Sequence, residues 1–134
     1  MNNIKEIHHI GIVVKNVAKE LEKYRALGFK IKDEVVIDNE QKVKVGQVGS
    51  SDGGVIELLE PLDESSPIWK FYKDGGGQHH ICIEVDNIEA YVRYIKENKL
   101  GVRLTQTTTS VFDGRKVCFI GLKDRQIMEL IEQS

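Results

Sequence analysis

Four residues of this 134-residue sequence combine metal-ligand or acid–base chemistry with an apolar setting: His9, Glu57, His80 and Glu129. His9 opens the run Ile10-Gly11-Ile12-Val13-Val14, and His80 opens Ile81-Cys82-Ile83-Glu84-Val85. Glu57 sits inside Val55-Ile56-Glu57-Leu58-Leu59, and Glu129 inside Ile127-Met128-Glu129-Leu130-Ile131. A carboxylate in the middle of so apolar a strand is costly to bury without a partner. His80 follows His9 by 71 residues and Glu129 follows Glu57 by 72. Two imidazoles and two carboxylates at matched places point to one shared partner, and a divalent metal is the economical choice. A mixed N/O donor set suits Zn, Ni, Co or Mn better than a thiolate-seeking metal. Six-coordination would leave two adjacent positions for substrate oxygens.

Those four residues are positioned by a sequence that repeats itself. His8-His9-Ile10-Gly11-Ile12-Val13-Val14 matches His79-His80-Ile81-Cys82-Ile83-Glu84-Val85, and Asn16-Val17 matches Asn87-Ile88. Lys44-Val45, Val48-Gly49, Asp52, Val55, Glu57-Leu58 and Glu60 match Lys116-Val117, Ile120-Gly121, Asp124, Ile127, Glu129-Leu130 and Glu132. Such order is the mark of a duplicated module. Each half reads as strand, helix, then strands. Asn16 caps a helix with apolar positions Val17, Leu21, Tyr24 and Leu27, stopped at Gly28. Its counterpart starts at Asp86-Asn87, carries Ile88, Tyr91, Val92 and Ile95, and stops near Gly101. Strands are expected over 31–37, 42–48 and 55–59, then over 103–107, 116–120 and 127–131. Asp52-Gly53-Gly54 and Asp113-Gly114 signal turns. Residues 62–77 join the modules 7–61 and 78–133 through a short amphipathic piece, Ile68 to Tyr72, and a hinge-like Gly75-Gly76-Gly77. The expectation is one α+β domain over 1–134, built from two tandem βαβββ modules.

Strand side chains alternate between faces. Ile10, Ile12 and Val14 form an aliphatic face for a helix, which leaves His9, Gly11 and Val13 on the other side. Ile81, Ile83 and Val85 likewise oppose His80, Cys82 and Glu84. His8 and His79 read as edge or surface residues. Glu60 and Glu132 lie at strand ends, where exposure is the default.

A net charge of −2 argues against nucleic acid as the main partner. No apolar run approaches the ~18 residues of a membrane span, and the polar start of the chain lacks a secretory core. Cys82 and Cys118 have no C-x-x-C spacing and read as reduced core residues of a cytoplasmic protein.

The motifs His-Ile-Gly-Ile-Val-Val and His-Ile-Cys-Ile-Glu-Val, with Ile-Glu-Leu-Leu-Glu-Pro and Met-Glu-Leu-Ile-Glu, resemble the vicinal-oxygen-chelate superfamily, which includes glyoxalase I and methylmalonyl-CoA epimerase. The resemblance runs from Ile7 to Glu132. It implies a half-open curved sheet around one metal, with ligands on His9, Glu57, His80 and Glu129. Leu58-Leu59-Glu60-Pro61, Ser66-Pro67-Ile68-x-Lys70-Phe71 and Gly77-Gln78-His79-His80-Ile81 resemble the epimerases most. Glu40-Gln41-x-Val43 resembles an epimerase Glu-Gln-Gly-Val segment, which implies a second acid/base at Glu40, although Lys42 stands in place of the glycine. Phe119-Ile120-Gly121-Leu122-Lys123 departs from the epimerase His-Pro-Lys after Phe.

The implied chemistry is removal of a proton next to a carbonyl, with Glu129 as ligand and base and Glu40 as the opposing acid/base. An acyl-CoA thioester is the expected substrate, and Lys70, Lys73, Arg115 and Lys116 are available for its phosphates. Two alternatives remain at this point. One is a glyoxalase I acting on a hemithioacetal, with Glu57 and Glu129 as bases and the Thr-rich loop 105–115 bordering the site. The other is a non-catalytic binding protein of the same fold. A diol-cleaving oxygenase, with two His and one carboxylate, fits less well because Glu57 is an extra ligand. The resemblance also implies a homodimer.

Overall fold

The computed structural model describes residues 4–134. The described residues pack as two compact units, one of His9–His79 and the other of residues 4–8 with His80–Ser134. The first module has the expected βαβββ order; in the second the strand after the helix is split in two.

The first module runs β1 (Glu6–Val13), α1 (Val17–Ala26), β2 (Lys30–Asp38), β3 (Val43–Gly49) and β4 (Val55–Pro61), followed by the short α2 (Trp69–Lys73). Its strands lie in the order β2-β3-β4-β1. β4 runs antiparallel to β3 and parallel to β1. The Asn16 carboxamide accepts from the Lys19 N–H and so starts α1, and Gly28, with φ of +109°, takes the left-handed turn after it. Val17 and Leu21 pack on Val48 and Leu58, with Ile12, Val14 and Ile56 around them. This is the aliphatic face that strand alternation assigns to the helix. Burying each such side chain contributes about 1.5–3 kcal/mol. Gly46 lets α1 approach this closely, since a Cβ there would stand 3.1 Å from Leu21 and 3.2 Å from Val17.

The second module runs β5 (Gly77–Val85), α3 (Ile88–Glu97), β6 (Gly101–Arg103), β7 (Thr108–Thr109), β8 (Lys116–Leu122) and β9 (Ile127–Glu132). Its order is β5-β9-β8-β6, with β7 paired on β8. Asn87 caps α3 as Asn16 caps α1, accepting from the Ala90 N–H. Ile83, Val85, Ile88, Ile95, Cys118, Ile120 and Leu130 form the core. Cys82 and Cys118 are both buried thiols, and burial pushes the Cys118 thiol up from its ordinary pKa.

Four expectations need correction. The strand expected over 103–107 is broken into β6 and β7. Arg103 donates to the Thr105 carbonyl and the Thr107 hydroxyl, while the Thr105 hydroxyl accepts from the Phe119 N–H, so side chains replace the ladder there. α3 ends at Glu97, short of Gly101, because Lys99 already takes a left-handed φ of +56°. Gly75-Gly76-Gly77 is a shaped crossing rather than a hinge: all three have positive φ, and a Cβ on Gly76 would lie 2.7 Å from the Val13 carbonyl oxygen.

The fourth correction concerns Glu60 and Glu132, which are not solvated strand ends. Glu60 Oε1 accepts from the Val17 N–H at 3.0 Å, and Glu132 Oε1 accepts from the Ile88 N–H at 2.9 Å. Each carboxylate sits at the positive end of its module's helix. Lys44 and Lys116 stand beside them at 4.0 and 3.9 Å. The duplicated strand end is therefore a duplicated helix cap. Among the described residues, no helix is long and apolar enough to cross a membrane.

Candidate metal centre

In the first module the parallel pairing of β1 with β4 sets Gly11 opposite Glu57, and the antiparallel pairing of β3 sets Gln47 on its other side. His9, two residues before Gly11, shares its face. Gly11 has no side chain, so the imidazole can reach the carboxylate. His9 Nε2 stands 3.5 Å from Glu57 Oε1, with the imidazole buried and the carboxylate largely so. The second carboxylate oxygen is held separately: Gln47, itself buried, donates its Nε2 N–H to Glu57 Oε2 at 2.9 Å.

The second module builds the same figure. Cys82 lies opposite Glu129 on one side and Phe119 on the other. His80, two residues before Cys82, brings Nε2 to 3.2 Å from Glu129 Oε1, and both side chains are buried. The Phe119 ring meets the His80 ring edge-on, with centroids 5.1 Å apart at 88°. Such a contact fixes the imidazole plane without taking up a nitrogen.

Both pairs suit a divalent ion. With metal–ligand bonds of about 2.1 Å, adjacent donors of an octahedron stand about 3 Å apart. The imidazole-to-carboxylate spacings of 3.5 and 3.2 Å are close to this. All four residues offer donor atoms of the N/O class.

The remaining expected residues fall elsewhere. Glu40 lies exposed on the turn between β2 and β3, where the Asp38 carboxylate accepts from the N–H groups of Glu40 and Gln41, each at 3.1 Å. Lys42 adopts φ of +57° in this turn, the conformation a glycine would take. A lysine holds this conformation at some strain. Arg115 is structural: its Nε donates to the Glu132 carbonyl at 2.9 Å, and Nη2 lies 3.4 Å from Glu84. Lys116 lies 3.9 Å from Glu132 with most of its side chain exposed. Lys70 is well exposed beside Asp74, and Lys73 lies over the Trp69 ring at 5.7 Å. In the 105–115 loop, Thr107 bonds Glu89 and Arg103, tying the loop to α3. His79 packs edge-on against Phe71 at 4.9 Å.

Sequence reasoning passed over Gln47. The available signal was a lone amide among the valines of β3, at the place that Phe119 occupies in the second module.

Similar sequences and folds occur in known proteins. The chain is 35% identical over 125 residues to human mitochondrial methylmalonyl-CoA epimerase, covering 91% of this chain and 69% of the human protein. The crystal structure of methylmalonyl-CoA epimerase from Mycobacterium tuberculosis matches with a TM-score of 0.84 and 25% identity, over 98% of this chain and 89% of that one. A Streptomyces coelicolor methylmalonyl-CoA epimerase variant in complex with 2-nitronate-propionyl-CoA matches with a TM-score of 0.82 and 28% identity, over 98% and 99%. Residues 8–119 match the model of the Glyoxalase/Bleomycin resistance protein/Dioxygenase superfamily, and the chain belongs to that family.

Proposed function

We propose that this protein is a metal-dependent methylmalonyl-CoA epimerase in which His9, Glu57, His80 and Glu129 hold one divalent ion. The observation that carries this reading is the recurrence of one His–carboxylate pair in each module, in a chain similar to methylmalonyl-CoA epimerases over nine-tenths of its length. Co, Ni, Zn or Mn would satisfy the donors. When bound, the metal supplies Lewis-acid stabilisation of the charge that develops on the substrate oxygen as the α-proton leaves.

The residues divide the remaining work. Glu129 takes the α-proton on one face, and Glu40 returns a proton on the other, inverting the carbon. Both histidines would offer Nε2, the nitrogen nearest the carboxylates, and their burial would limit competition from water. The β2–β3 turn presents Glu40 with its backbone held by Asp38, so the side chain is the part that must reach the substrate. Lys70 and Lys73 on α2 and Lys116 on β8 are exposed cations available to the CoA phosphates, whereas Arg115 is largely buried between Glu84 and the Glu132 carbonyl. The enzyme is read as a cytoplasmic homodimer whose two units form one domain; light scattering at assay concentrations checks the dimer.

The test is deuterium wash-in from heavy water into methylmalonyl-CoA, comparing Co²⁺-loaded with chelator-treated protein. Metal-dependent exchange at the α-carbon is expected. Exchange equal in both samples removes the metal from the reaction. No exchange by folded, metal-loaded protein removes the epimerase assignment and moves the search to hemithioacetals.

A further inference from the structure

The two carboxylates that the repeat makes equivalent face different residues across their strand pairs. Gln47 and Phe119 occupy the same place in the two modules, each directly across an antiparallel strand pair from the carboxylate, Gln47 from Glu57 and Phe119 from Glu129. At that place the first module has an amide that donates to Glu57 Oε2 at 2.9 Å. The second has an aromatic ring, which carries no N–H or O–H donor and lies edge-on to His80.

We infer that Gln47 is a positioning residue, which holds Glu57 by Oε2 and thereby presents Oε1 beside His9 as a fixed, single-oxygen metal ligand. The inference rests on the metal reading above. Three observations support it. Gln47 is buried, with 3% of its surface exposed, and the other side chains of β3 with inward places are valines. A buried amide in such a strand is costly unless hydrogen-bonded, so its bond to Glu57 is strongly preferred over any solvated alternative. The two Glu57 oxygens also have different neighbours: Oε1 faces the His9 imidazole at 3.5 Å, and Oε2 faces the amide. A carboxylate held in this way is biased toward offering Oε1 alone, because turning Oε2 to the metal or to a substrate would weaken its bond to the buried amide. Outer partners of this kind commonly set ligand orientation. The first module thus supplies a ligand whose orientation is set by the amide behind it.

The test is Co²⁺ titration of the whole protein, followed by d–d absorption and calorimetry, in a double-mutant cycle of Gln47→Met and Glu57→Ala. Gln47→Met keeps the volume and removes the donor. It is expected to weaken Co²⁺ binding by about 10- to 100-fold and to change the visible spectrum. Added to Glu57→Ala, it should weaken binding no further. Wild-type affinity and spectrum in Gln47→Met overturn the inference, as does a loss that persists in the Glu57→Ala background. If Gln47→Met does not fold, Gln47→Phe, the residue the second module holds at this place, serves in the same cycle. Absence of Co²⁺ uptake by the natural protein has a different meaning: it removes the metal reading, and the positioning role with it.

Discussion

The two modules share a backbone plan and differ in what stands beside the chemistry. In each, an Asn caps the helix, a Glu at the end of the last strand accepts from the helix N-terminus, and a His meets the carboxylate of its own module at 3.2–3.5 Å. Across from that carboxylate the first module places Gln47 and the second Phe119. Duplication reproduces the parts that fold the module. Among the places where the modules differ, one lies directly across from the carboxylate, an amide in the first and a ring in the second. Two donors that are interchangeable by sequence position can therefore take different parts in one reaction.

The largest expected effect comes from separating the carboxylates by substitution. Glu129→Gln should lower epimerase turnover by roughly a thousandfold or more while the fold is kept. Glu57→Gln can still offer an oxygen to the metal and should leave turnover well above that level. Steady-state kinetics with matched metal content decides this, and equal losses would mean that both carboxylates carry protons.

A second effect belongs to a segment with no counterpart in the repeat, the Gly75-Gly76-Gly77 crossing. Gly76→Ala puts a Cβ 2.7 Å from the Val13 carbonyl in a residue with φ of +69°. A loss of about 2 kcal/mol or more is expected in urea unfolding. An unchanged midpoint would show that the crossing tolerates movement after all.

The duplicated caps sharpen the comparison from the other side. Glu60→Gln and Glu132→Gln should each cost about 1 kcal/mol, and by similar amounts, because each leaves a neutral acceptor at a helix N-terminus. Unequal losses beyond measurement error would show that the modules differ in folding as well as in chemistry.

The smallest effect concerns a bond that only the second module has. Hydrogen bonds from Arg103, and next from Thr107, hold the Glu89 carboxyl below its ordinary pKa, whereas the matched position in the first module is Ala18. A depressed folded pKa contributes stability above the unfolded value, and this is lost as pH falls through the folded one. The Tm advantage of natural protein over Glu89→Gln should therefore be present at neutral pH and shrink in acid. The advantage should be small, since the pair is solvent-screened.

How much of this could be read from the sequence follows from the range of each interaction. The Asn caps of α1 and α3 were legible because cap and recipient are three residues apart. The faces of β1, β4, β5 and β9 were legible because strand alternation is local and the repeat checks it. Glu60 and Glu132 were read as exposed because their partners lie 43 and 44 residues away, where no local pattern reports them. The break between β6 and β7 was hidden for a related reason: Thr105 and Thr107 favour strands by composition, yet their hydroxyls bond Phe119 and Glu89 instead. Gln47 was missed because the repeat highlights matched residues, and its importance lies in not matching.

The most direct test of the central claim, that one pair from each module holds a single ion, is the number of Co²⁺ ions bound per chain in the natural protein and in His9→Ala and His80→Ala. One ion per chain, with tight binding lost in either variant, is the predicted result. Two ions per chain, one lost with each histidine, would mean that each pair binds alone and would contradict a shared centre.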